Sequence, residues 1–173
     1  RIFIMALSRD SGNSWHDQYI NPLTPEGTQI LIDTVYRPHY DRYKKDFGKT
    51  FKGFFSDEPQ FGNAYGYHAV LGRYPYMALP WCDDMADSIK GIMGENSMKY
   101  WPGLWYDIGE KTSLVRYAYM DSVSKMYGEN FTSIIGNWCR EHGVEYMGHV
   151  IEENNAHARL GAGAGHYFRA LWG

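Results

Sequence analysis

The spacing of apolar residues divides the chain into short apolar runs separated by longer helical patterns. Residues 2–7, Ile-Phe-Ile-Met-Ala-Leu, are continuously apolar and too few for a helix, which predicts a strand buried on both faces. A loop of polar and aromatic residues, 8–23, carries Trp15, His16 and Asp17. At Thr24 the pattern changes: a hydroxyl suited to capping is followed by Pro25 at the first helical position and Glu26 near the positive helix end. This predicts a helix over 24–47, stopped by Gly48 and kinked at Pro38, which lacks an N–H. Residues 51–56, Phe-Lys-Gly-Phe-Phe-Ser, predict a second strand that ends in Asp57-Glu58-Pro59.

Residues 60–110 are rich in Gly, Pro, Tyr and Trp and predict a long insertion over one face, with a short helix near 83–92. Over 114–142, Met120, Val123, Tyr127, Phe131, Ile134 and Trp138 recur at three- and four-residue spacing, a helix that Gly143 closes. A third strand, 144–150, again leads into acids, Glu152 and Glu153. Strands alternating with helices predict an α/β fold of parallel βα units with right-handed crossovers. The expectation is a partial (β/α)8 barrel, about three βα units plus a long inserted loop region, forming one domain over 1–173. A closed barrel takes roughly 250 residues, so the 173-residue chain is expected to be a portion of a longer protein. In such folds ligands bind at the carboxyl ends of the strands, where both acidic clusters fall.

Composition narrows the classes. Hydrophobic residues at 44% with charged residues at 21% exclude a disordered chain. The 15 Tyr and 6 Trp supply flat rings that suit stacking on sugars as well as core packing. A net charge of −3 with mixed signs offers no basic stripe, so nucleic acid is not an expected partner. No apolar run approaches the roughly 18 residues of a membrane span, and the opening segment is too short for a signal peptide. Cys82 and Cys139 are too few for a disulfide scaffold and favour a reducing, cytoplasmic compartment. Asn130-Phe131-Thr132 matches a glycosylation acceptor but falls inside the helical pattern.

Two carboxylates on neighbouring strand ends are what cleavage of a glycosidic bond requires, one to protonate the leaving oxygen and one to attack or to activate water. Glu58 and Glu153 are the candidate catalytic pair, with the choice between Glu152 and Glu153 left open by the strand pattern. Asp57 stands beside Glu58 at the same strand end. His149 is placed to bind a sugar hydroxyl or orient Glu153; Asp57, Glu152, Asn155, His157, Trp15 and Trp81 complete the candidate substrate-binding set. His149, Glu153 and His157 lack the spacing of a helical zinc motif, so no catalytic metal is expected. Gly161-Ala162-Gly163-Ala164-Gly165 lacks the spacing of a phosphate-cradling loop.

The run Gly53-Phe54-Phe55-Ser56-Asp57-Glu58-Pro59-Gln60, the stretch Asn21-Pro22-Leu23-Thr24-Pro25-Glu26, the segment Leu79-Pro80-Trp81-Cys82-Asp83-Asp84 and Gly148-His149-Val150-Ile151-Glu152-Glu153 resemble the catalytic barrel of bacterial glycoside hydrolases related to α-L-rhamnosidases. The resemblance covers nearly the whole chain. It implies a barrel, a carbohydrate substrate, Glu58 as proton donor and Glu153 as second acid, with Asp57 standing where the larger clan of barrel glycosidases has Asn. Relatives that use calcium imply oxygen ligands at Asp57, Glu152 or Asn155, while no other cofactor is expected. Two other classes compete: a non-catalytic carbohydrate-binding barrel, and a metal-assisted hydrolase. Under the barrel expectation, the open sheet edges pair with the rest of the parent chain or with a self-associated copy.

Overall fold

The computed structural model describes residues 2–8, 19–59, 61, 71–72 and 78–149. The first helical stretch starts where Thr24 predicts it: its hydroxyl accepts the Gly27 N–H at 3.2 Å, and Pro25 opens the helix. Helix α1 (Pro25–Leu31) continues through a π turn (Ile32–Tyr36) into α2 (Arg37–Tyr43). The π turn meets the needs of Pro38, because the Arg37 N–H reaches back to the Ile32 carbonyl and the ladder is already loosened where the proline removes a donor. The helix ends at Tyr43 rather than at 47. Phe47 leaves it to lie nearly parallel on Phe51, ring centres 4.6 Å apart, with Tyr40 edge-on to it.

Strand β1 (Gly53–Ser56) and strand β2 (Glu145–Gly148) pair in parallel, Gly53 opposite Glu145 and Ser56 opposite Gly148. Between them come α3 (Met85–Met93), a 3-10 segment (Ser97–Leu104), α4 (Thr112–Tyr127), a π turn (Gly128–Thr132) and α5 (Ser133–Glu141). The long helix thus runs from Thr112 to Glu141, close to the predicted 114–142. It closes on Gly143, φ +70°, where the Gly143 N–H reaches Arg140 and the Val144 N–H reaches Cys139. This left-handed closure turns the chain directly into β2.

The region 60–110 is more than a cover. Leu71, Cys82, Met85, Ile89 and Leu104 from it are buried with Val115, Tyr119, Val123 and Tyr127 of α4 in one core. The Ser88 hydroxyl donates to Ser122 across the α3–α4 seam at 2.7 Å. The turn before α1 is tied to the same core: the Asn21 amide donates to the Trp81 carbonyl and the Asn130 amide to the Leu23 carbonyl. Asn130 is therefore engaged inside a helical turn, where the glycosylation-like triplet is a structural feature.

The predicted opening strand is not formed. Residues 2–7 have no regular structure and are exposed, Ile2 and Ile4 each to 92%, with the Phe3 ring 5.5 Å from Tyr106. A strand needs a partner's N–H and C=O groups, and among the described residues the sheet contains only β1 and β2. An apolar run signals a wish for burial without naming the partner that supplies it. The described fold is therefore mixed α/β, helices with a two-stranded parallel sheet, rather than a three-strand barrel segment. Among the described residues no helix is long and apolar enough to cross a membrane.

Burial raises the phenols of Tyr36, Tyr119, Tyr127 and Tyr146 above their ordinary 10.0, and the thiols of Cys82 and Cys139 above 9.0, Cys139 to about 11. These groups stay neutral in the fold while an unfolded chain ionises. Their contribution to stability is complete below about pH 9 and is lost as pH rises toward the folded-state values, each at up to about 1.4 kcal/mol per pH unit. The urea midpoint accordingly falls steadily between about pH 9 and 11. A midpoint that holds level or rises across that range contradicts this core.

Candidate functional site

The helix-covered face of the sheet is aromatic. Phe54 stacks on Tyr36 with ring centres 4.2 Å apart and stands edge-on to Trp138. Tyr146, opposite Phe54 in the register, hydrogen-bonds the Ser56 side chain. Tyr19 and Tyr146 lie near enough to Tyr127 to oppose its ionisation, after burial itself. Three phenols and a hydroxyl thus gather beneath the carboxyl ends of the strands. Phe61, just past Pro59, adds its ring edge-on to Tyr127 at 5.6 Å.

Ladder hydrogen bonding extends past the strand ends. The His149 N–H donates to the Ser56 carbonyl at 3.0 Å, and the Glu58 N–H donates to the His149 carbonyl at 3.2 Å. In a parallel ladder one residue bonding to the neighbours on both sides of another marks the two as a pair. Asp57 and His149 are that pair. Alternation places them on the sheet face that carries Phe55 and Met147, away from the helices. The His149 ring meets Phe55 at 5.6 Å, inclined by 72°. Asp57 and His149 are exposed, as are Phe55 at 61% and Met147 at 50%.

Glu58 follows a different rule. Its φ is +46°, the one positive value at a non-glycine among the described residues. That left-handed turn ends the extended run and releases Glu58 from the alternation that would have set it with Phe54 and Ser56. Glu58 is half-buried and Pro59 behind it is buried. A residue held in this region costs on the order of 1 kcal/mol or more, and such strain gathers where a side chain must be aimed.

Of the residues selected from sequence, the structure brings Asp57, Glu58 and His149 together. Trp81 packs instead against Trp101, ring centres 5.2 Å apart, and lies nearly parallel to Tyr119 of α4, a core position. Trp15, Glu152, Glu153, Asn155 and His157 lie outside the described residues, as does the glycine-rich 161–165 run. Among the described residues no group of three His, Cys, Asp or Glu side chains is arranged to hold a metal ion. A separate hollow of about 260 Å³ lies between the end of α3 and the start of α4, lined by Asn96, Lys99, Tyr100 and Lys111. It contains none of the strand-end acids.

Sequence reasoning missed Phe55, Ser56, Tyr19 and Tyr146. Phe55 was hidden because two adjacent phenylalanines read as buried on both faces; its position two residues before Asp57 is the signal that places it on the same face as the acid. No protein-family model, curated protein or solved structure matches the chain.

Proposed function

We propose that this chain is part of a (β/α)8-type glycoside hydrolase, α-L-rhamnosidase-like in its motifs, that cleaves a glycosidic bond with Glu58 as proton donor and Glu153 as second acid. The observation that carries this reading is the convergence of two parallel strand ends on one spot. Asp57 and His149 pair across the ladder, and Glu58 is turned out of it by a strained backbone. Parallel sheets are covered on both faces, and the face bearing Phe55 and Met147 has the apolar character of a barrel interior.

Protonation of the leaving oxygen falls to Glu58, which its left-handed backbone turns out of the strand alternation. Asp57 accepts hydrogen bonds from sugar hydroxyls, and His149 either donates or accepts beside it. Glu153, five residues beyond β2 in the sequence, is the proposed second acid of the pair.

Hydrolysis of a panel of alkyl and aryl glycosides by the protein, surviving chelation and lost with Glu58→Gln for those with poor leaving groups, is the expected result. Activity that disappears on chelation favours a metal-assisted hydrolase. Sugar binding without turnover, indifferent to Glu58, favours a non-catalytic binding barrel.

A further inference from the structure

We propose that Tyr146 is a positioning residue for Glu58: its hydrogen bond to the Ser56 side chain holds the end of β1 against β2 and so keeps Glu58 in its left-handed turn. This rests on the glycosidase reading and names what keeps the proposed proton donor out of the strand alternation.

Glu58 needs such support. A residue before proline favours extended backbone, yet Glu58 sits at φ +46° ahead of Pro59. In an extended conformation Glu58 would rejoin the alternation, and its side chain would pass to the helix-covered face with Phe54 and Ser56. A bond that opposes this runs from the Glu58 N–H to the His149 carbonyl at 3.2 Å. It acts only while the ends of β1 and β2 stay side by side.

The residues that hold them there lie at the last pairs of the ladder. The Ser56 carbonyl accepts the His149 N–H at 3.0 Å, and the Ser56 side chain is hydrogen-bonded to the phenol of Tyr146. Gly148, opposite Ser56 in the register, brings no side chain to that face. Among the described residues, the cross-strand side-chain contact of Ser56 therefore falls to Tyr146 on the diagonal. Tyr146 is partly buried and packed against the core, so its phenol is an anchored partner for the last residue of β1, two positions before the proposed acid.

Tyr146→Phe keeps the ring and its packing and removes only the hydroxyl. It is expected to lower kcat on alkyl glycosides about fivefold, the worth of one neutral hydrogen bond, with KM little changed and nitrophenyl glycosides much less affected. Ser56→Ala is expected to do the same, and the double variant to lose little more than either single one. In both single variants the Cα and Cβ chemical shifts of Glu58 are expected to move from left-handed toward extended values. Unchanged Glu58 shifts, or a wild-type kcat on alkyl glycosides, overturn the positioning role and leave the glycosidase reading standing. Equal losses on alkyl and nitrophenyl substrates overturn it too, since they mark a general loosening of the fold. Wild-type protein that hydrolyses no glycoside overturns the glycosidase reading and Tyr146's role in it.

Discussion

Replacing Glu58 with glutamine lowers turnover of glycosides with poor leaving groups by about 10²–10⁴-fold, and affects nitrophenyl glycosides much less. An alkoxide leaves only if it is protonated as the bond breaks, whereas a nitrophenolate is stable enough to depart unaided. Glutamine preserves the size and the half-buried setting of Glu58 but has no proton to deliver, so the loss is chemical rather than structural. The strained turn at φ +46° should persist, because it is fixed by the Glu58 N–H bond to His149 and by buried Pro59 behind it. Steady-state rates on a leaving-group series, with circular dichroism as the control for folding, make the measurement. Equal losses across the series contradict the role of proton donor.

Gly148→Ala lowers stability by about 3 kcal/mol, which for a chain of this size is a fall of about 10 °C in melting temperature. Gly148 has φ +154°, a conformation that side chains rarely adopt, and a Cβ there would run into the Ser56 carbonyl. That carbonyl is the acceptor that holds His149 across from Asp57. The added methyl must therefore part the strand ends, disturbing the site along with the fold. Gly91→Ala is the control: it lies within α3, a Cβ meets nothing within 4 Å, and alanine is the better helix former. Its melting temperature is expected to hold or rise. A Gly148→Ala protein that melts with wild type would mean that the β1–β2 pairing does not hold the strand ends together.

Much of the architecture was legible because local chemistry decided it. Thr24 and Pro25 start a helix wherever they meet a helical pattern, and Gly143 ends one because it alone tolerates the left-handed closure cheaply. The parallel pairing followed from two apolar runs separated by a long helix. What stayed hidden was non-local. Each π turn adds one residue to a helix, a shift too small to disturb the three-and-four spacing from Met120 to Trp138. The 3-10 segment contains Pro102 and Gly103, which read as a loop, yet Leu104 is fully buried against α4.

Residues 2–7 show the limit most plainly. Their composition demands a partner that the described residues do not provide. At the site, the acids at the end of β1 and His149 at the end of β2 were visible from the sequence, but the pairing of Asp57 with His149 was not, because it depends on the register between two strands far apart in the chain. The left-handed turn at Glu58 was not visible, because glutamate before proline carries no preference for it.

The separation of the Glu58 and Glu153 carboxyl groups, measured in a crystal of the protein with a bound glycoside, tests the central claim most directly. A separation of about 5–10 Å across one cleft, with the scissile oxygen between the two acids, is the predicted result; the short end specifies retention of configuration and the long end inversion. Carboxyl groups on opposite faces of the sheet, or farther apart than one sugar ring and a water can bridge, would contradict it.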